Sequence, residues 1–185
     1  MKKIFSLVLL LILSVNVYSR NTIKFLGIPV DGTKKEMQSK LESKGFIYDK
    51  YSGEFYGEFN GERVVIAIQT VNNKVYRLVI KDAIGCNESS IKIRYNKLYN
   101  QFMNNGKYGV MKDGLPIDEE TDISYEMSFH EEDFQVGFYL LDESINGMVW
   151  YYIQRESSLY YIVMFYSIVL FNIGKITPSH KDACT

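Results

Sequence analysis

The spacing of apolar positions changes period several times along this chain, and each change predicts a new element. Ile23 to Ile28 is a short apolar stretch closed by Pro29 and the Asp31-Gly32 turn. Thr33-Lys34-Lys35-Glu36 then carries a capping-box pattern, in which Thr33 satisfies a free helix N–H and Glu36 reaches back to it. Met37 and Leu41 share one helical face, and Gly45 is a natural stop, so a short helix is predicted between them. Glu54 to Phe59 alternates in period two, and Asn60-Gly61 tolerates the positive φ of a tight hairpin. Arg63 to Thr70 is a β-branched run. After an Asn72-Asn73 turn, Tyr76, Leu78 and Ile80 alternate with Arg77 and Lys81. The first half therefore reads as a short strand, a helix and a three-stranded meander.

The second half begins with another helix. Ile91, Tyr95, Leu98, Tyr99 and Phe102 form an apolar stripe at helical spacing, with Ser89 or Ser90 as the expected cap and Asn104-Asn105-Gly106 as the stop. A polar loop through Asp118-Glu119-Glu120-Thr121-Asp122 follows. Ile123, Tyr125, Met127 and Phe129 alternate with Ser124, Glu126, Ser128 and His130, which predicts a strand, and Glu131-Glu132-Asp133 reads as its turn. Phe134 to Leu140, Met148 to Gln154 and Tyr160 to Phe171 complete the set. The stretch Tyr160 to Tyr166 is apolar on both sides, so it belongs at the centre of a sheet or under a cover. The predicted class is α+β: antiparallel meanders with two helices on one face, in a tandem helix-plus-meander order.

The N-terminus has a different pattern. Lys2 and Lys3 precede the apolar run Ile4 to Leu13, and Val17 and Ser19 supply small residues, as in a secretory signal cut between Ser19 and Arg20. The run is shorter than the roughly 20 residues a membrane span requires, and no cysteine follows it to carry a lipid. The expected organisation is a signal peptide at 1–19, one domain at 20–171 with halves near 20–84 and 85–171, and a polar tail at 172–185 with little order. The tail contains Lys175, Pro178, His180 and Lys181. Loss of Lys2 and Lys3 takes 21 basic residues to 19 against 22 acidic ones, a net charge of −3. That balance gives no basis for nucleic-acid binding, which rests on clustered Lys and Arg.

Chemistry-bearing motifs are sparse. The two histidines, His130 and His180, lack a metal-ligand partner at helical spacing. There is no nucleophile elbow, phosphate loop or dinucleotide fingerprint. No metal, cofactor or catalytic residue is therefore expected. The acids Asp118, Glu119, Glu120 and Asp122, like Glu131-Glu132-Asp133, lack the spaced ligands and turn glycine of a calcium loop and read as solvated. In an exported chain, Cys86 and Cys184 are permitted to form a disulfide, which would restrict the unfolded chain by about 4–5 kcal/mol; the alternative is two unrelated thiols. The candidate binding residues are Trp150, Tyr151, Tyr152, Tyr160 and Tyr161, because Tyr and Trp combine apolar area with a polar tip. Ordinary cross-strand packing is the competing explanation.

Phe25-Leu26-Gly27-Ile28-Pro29-Val30-Asp31-Gly32-Thr33, with Met37, Leu41 and Lys44-Gly45-Phe46, resembles the opening of a group of small exported proteins of Bacteroides-type gut bacteria. Val75 to Ile80 and Tyr160 to Tyr166 resemble later stretches of the same group, which is functionally uncharacterised and implies no site residues. The helix-then-meander order also resembles the β-lactamase-inhibitor-protein fold and that of small outer-membrane assembly lipoproteins, both binding modules. The leading expectation is a periplasmic or secreted, non-enzymatic module for a protein or glycan partner, with an exposed aromatic patch on a sheet face. The alternatives are a carboxylate-based hydrolase of cell-wall or glycan substrates, whose acids would converge in one pocket, and a structural homodimer through the C-terminal strands.

Overall fold

A computed structural model of the chain describes residues 22–111 and 114–168. The signal segment, the polar tail and Cys184 lie outside these residues. The element order is β1 (Lys24–Phe25), β2 (Ile28–Pro29), α1 (Lys34–Glu42), β3 (Ile47–Tyr48), β4 (Phe55–Phe59), β5 (Glu62–Val71), β6 (Lys74–Asp82), α2 (Glu88–Met103), β7 (Tyr108–Val110), α3 (Ile123–Phe129), β8 (Gln135–Leu140), β9 (Met148–Glu156) and β10 (Leu159–Ser167). β1 and β2 pair as a small hairpin, and the other eight strands form one antiparallel sheet in the order β3-β4-β5-β6-β10-β9-β8-β7. The chain is thus α+β, and its sheet consists of two four-stranded meanders. Each runs from an outer edge inward, and the two meet where β6 pairs with β10.

Local sequence accounts for most of these elements. Thr33 Oγ1 accepts from the Glu36 N–H at 3.3 Å while Glu36 Oε2 accepts from the Thr33 N–H at 2.7 Å, so both halves of the capping box form. Asn60 and Gly61 turn β4 into β5 with φ of 58° and 82°, and Asn72 and Asn73 turn β5 into β6 with φ of 50° and 60°. The doubly apolar β10 lies between β6 and β9 near the middle of the sheet, where both of its edges are paired.

Four details differ from the sequence reading. Residues 123–129 are a helix, not a strand. Alternation over seven residues also contains two i,i+4 pairs: Ile123 and Met127 turn inward, while Tyr125 and Phe129 stack outside at 4.9 Å. Asp122 decides between the periods, because its Oδ1 accepts from the Tyr125 N–H at 2.8 Å and caps the helix. The cap of α2 is Asn87 rather than a serine, with Oδ1 accepting from the Ser90 N–H at 2.9 Å. The three-residue strand β7 fills the edge of the second meander and carried no pattern long enough to predict. Finally, a bulge opposite Gln69 and Thr70 breaks the alternation of β6. It sends Val75 into the core and turns Tyr76 toward Gln69, whose Oε1 accepts the Tyr76 hydroxyl at 3.1 Å.

Among the described residues, all three helices and the β1–β2 hairpin cover one face of the sheet. Met37 and Leu41 of α1, Ile91, Tyr95 and Leu98 of α2, and Ile123 of α3 are buried against it. Phe25 from the hairpin is fully buried, with ring contacts to Phe59 at 5.1 Å and Tyr166 at 5.2 Å. Burying a ring of this size stabilises by roughly 1.5–3 kcal/mol. Gly57 of β4 leaves the space that the Phe46 ring occupies, and a Cβ there would collide with it.

Among the described residues one carboxylate is buried in this layer. Asp82 ends β6 at 6% exposure, and its carboxylate accepts both arms of the Arg94 guanidinium from α2. Its Oδ2 also accepts the Ile162 N–H of β10 at 3.0 Å. The first meander, the second helix and the second meander are therefore joined at one carboxylate. Removing one partner of such a pair leaves an uncompensated buried charge, at a cost of about 3–5 kcal/mol. Arg94→Met should lower unfolding free energy by that amount in urea titration, and Asp82→Asn combined with Arg94→Met should be less damaging than Arg94→Met alone.

Candidate binding surface on the helix-free sheet face

Strand alternation sends every second residue to the side that carries no helix among the described residues, and the register shows which of them are neighbours. One row across the strands reads Ala67, Val79, Phe165, Trp150, Gly137. The row on one side reads Gln69, Arg77, Ser167, Met148, Tyr139, and the row on the other reads Val65, Lys81, Val163, Tyr152, Gln135. The middle of this face is apolar and aromatic, and its two cations sit on β6.

The rings there are ordered. Trp150 and Phe165 stack with centroids 4.0 Å apart and planes within 7°. Tyr152 lies nearly parallel to both, at 5.8 Å and 6.0 Å. Stacked rings on adjacent strands stand up from the sheet and shield one another, and Phe165 and Val163 are 8% and 4% exposed, with no helix above them among the described residues. The thioether of Met111 lies over Gly137, where a Cβ would displace it. Lys81 Nζ pairs with Glu156 Oε1 at 2.6 Å and sits 4.8 Å from the centre of the Tyr161 ring.

The five sequence candidates do not stay together. Trp150, Tyr152 and Tyr161 reach the helix-free face. Tyr151 and Tyr160 point the other way and are buried in the core. Period two makes this unavoidable for the adjacent pairs Tyr151-Tyr152 and Tyr160-Tyr161. Tyr151 packs edge-on to Tyr95 at 5.0 Å, and its hydroxyl donates to the Tyr95 carbonyl at 3.0 Å. Sequence reasoning missed Phe165, Val163 and Arg77. The alternation of β10 against β9 would have found the first two once the pairing was known.

The remaining sequence features are placed as follows. Cys86 is half-buried, and its N–H and carbonyl pair with Tyr160 at 2.9 Å each, so it extends the sheet beside β10. Burial is the main cause that raises its thiol pKa, which suits an inert structural cysteine. Asp118, Glu119, Glu120, Glu131 and Glu132 are exposed on separate stretches around α3, and Glu126 pairs with His130 at 2.6 Å. Among the described residues no cluster of His, Cys, Asp or Glu is arranged to hold a metal. A shallow groove of about 980 Å³ runs along the outer side of α2, lined by Lys92, Asn96, Lys97, Asn100 and Asn104. Part of its wall is fixed, because the Asn96 amide makes two hydrogen bonds to the Ile117 backbone, at 2.7 Å and 2.8 Å. Among the described residues no helix is long and apolar enough to cross a membrane. No family model, curated protein or solved structure matches the chain.

Three core phenols behind this face, Tyr95, Tyr151 and Tyr166, have pKa values raised above 10.0, chiefly by burial. A raised phenol pKa means the folded state holds its proton more tightly than the unfolded chain does. The resulting stability is complete below pH 10 and is lost as the pH rises further. Unfolding free energy should be flat between about pH 8 and 9. Above about pH 10 it should fall by roughly 1.4 kcal/mol per unit for each of the three, with the phenolate absorbance of these three rings appearing only together with unfolding. Ionisation of all 15 tyrosines in a still-folded protein would contradict the burial of these rings.

Proposed function

We propose that this chain is an exported, non-catalytic binding protein that holds its partner on the helix-free face of the sheet. The observation that supports this reading is the half-buried set of Val79, Trp150 and Tyr152, backed by the buried Phe165 and Val163. This face carries apolar side chains where an ordinary solvated sheet face carries polar ones. The patch combines Trp, Tyr and Phe with an Arg at its side, residue types enriched at protein interfaces. Export is supported by the charged start and apolar run of residues 1–19. Electrospray mass measurement of the protein recovered from outside the cytoplasm should give a chain beginning at Arg20.

The two alternatives have less support. A carboxylate hydrolase needs acids converging in a pocket, and the acids around α3 are spread over solvent. A homodimer through β9 and β10 cannot form by strand addition, because both edges of each strand are already paired. Only the sheet face is left for it.

The direct test is capture from a periplasmic extract by immobilised protein, comparing wild type with Val79→Lys and Tyr152→Ser. Both substitutions lie on the helix-free face, outside the helix-covered core. The expected result is one or a few partners retained by wild type and lost with either variant. Equal retention by all three proteins would overturn the assignment of this face.

A further inference from the structure

Arg77 is a half-buried cation at the middle of this face whose charge the described residues leave uncompensated. Its guanidinium carbon lies 5.3 Å from the centre of the Phe165 ring and 5.5 Å from that of Tyr76. Its Nε donates to Ser167 Oγ at 2.8 Å. Among the described residues no carboxylate lies within ion-pair distance of it, whereas Arg94, Lys81, Lys40 and Lys92 each have one. Its two terminal nitrogens have no hydrogen-bond partner among those residues either. Burial weakens its hold on its proton, as expected for a cation partly removed from water without a counter-charge. The two rings and Ser167 fix the plane of the guanidinium, so little freedom remains to be lost when the open end of the fork is filled.

The chemistry that complements this arrangement is specific. The other cation of the patch, Lys81, is already neutralised by Glu156, so among the described residues the centre of the face carries one uncompensated positive charge. A monoanionic, planar acceptor with two oxygens matches one such fork. The apolar row Val79, Phe165 and Trp150 begins directly beside Arg77. Trp150 and Phe165 each turn one ring face on the other, at 4.0 Å. Apolar side chains beside the bound carboxylate would find aromatic and aliphatic surface next to the fork. Building on the binding role proposed above, we infer that the partner is an acidic, apolar polypeptide segment: one Asp or Glu carboxylate takes the Arg77 fork, and neighbouring apolar side chains lie across the half-buried Val79 and Trp150, with the buried Phe165 beneath them.

The test uses a random dodecapeptide library displayed on phage and panned against the immobilised full-length protein. Trp150 is the chain's single tryptophan, so its fluorescence reports occupation of this face. The expected outcome is enrichment of peptides with Asp or Glu next to apolar residues, which change Trp150 emission when titrated as synthetic peptides. Arg77→Gln should weaken them by about ten-fold. Replacing the peptide's acid with its amide should do the same, and combining the two changes should cost little beyond either one. Arg77→Lys, which keeps the charge without the fork, should fall between wild type and Arg77→Gln. Urea midpoints within error of wild type will show that the variants are folded. Peptides that change Trp150 emission but carry no acid, or that bind Arg77→Gln as well as wild type, would overturn the carboxylate inference and leave the binding face standing. Enriched peptides that leave Trp150 silent and ignore Val79→Lys, or no enrichment at all, would overturn both.

Discussion

The Asp82 carboxylate joins three parts of the chain, β6, β10 and α2, at one point. Two meanders, each with its own helix, could pack as separate units. Their last strands instead form one continuous ladder, from Val163 opposite Lys81 to Ser167 opposite Arg77. Where that ladder ends, the Ile162 N–H would be left inside the protein without a partner. Asp82 supplies the acceptor, and Arg94 of α2 balances the charge that comes with it. A buried carboxylate is costly unless its lone pairs and its charge are both satisfied. This arrangement therefore tolerates only the alignment in which β6, β10 and α2 are all in place. Burial of the core rings supplies the bulk of the stability. Asp82 and Arg94 specify how the halves are aligned.

The shared ladder also creates the helix-free face. Because β6 and β10 are neighbours, the cations of β6 and the rings of β9 and β10 lie in adjacent columns. Residues 77 and 150, far apart in sequence, become parts of one patch. Helices, hairpin and buried phenols all occupy the opposite side. The division of labour between the faces follows from strand alternation, since each strand can supply the core with one set of residues and the other face with the next.

Much of the architecture was legible in the chain because its signals were local. Thr33 with Glu36, the Asn60-Gly61 turn and the Ile91-to-Phe102 stripe each carry their own physical reason within a few residues. The central position of β10 could be inferred from its double-sided apolarity. Signals failed where two periods coincide or where pairing decides. Residues 123–129 satisfy both a strand and a helix pattern, and the cap at Asp122 was the deciding feature. Tyr76 left its expected face because of a bulge that only the partner strand reveals. The candidate surface was half visible: the run of aromatics was plain, but adjacent residues were grouped although they must point to opposite faces. Arg77 could not be singled out, because its lack of a counter-charge is a property of the folded neighbourhood.

We propose that this protein meets its partner through the helix-free face, and methyl-labelled NMR of the protein with a bound partner is the sharpest test, because methyl groups report their own face of the sheet. The methyls of Val65, Val79 and Val163 should shift on binding, while those of Ile66, Leu78, Ile80 and Leu98 in the core stay in place. Shifts confined to Ile93 on the outer side of α2, or to Ile117 beside the groove, with the three valines unchanged, would contradict it.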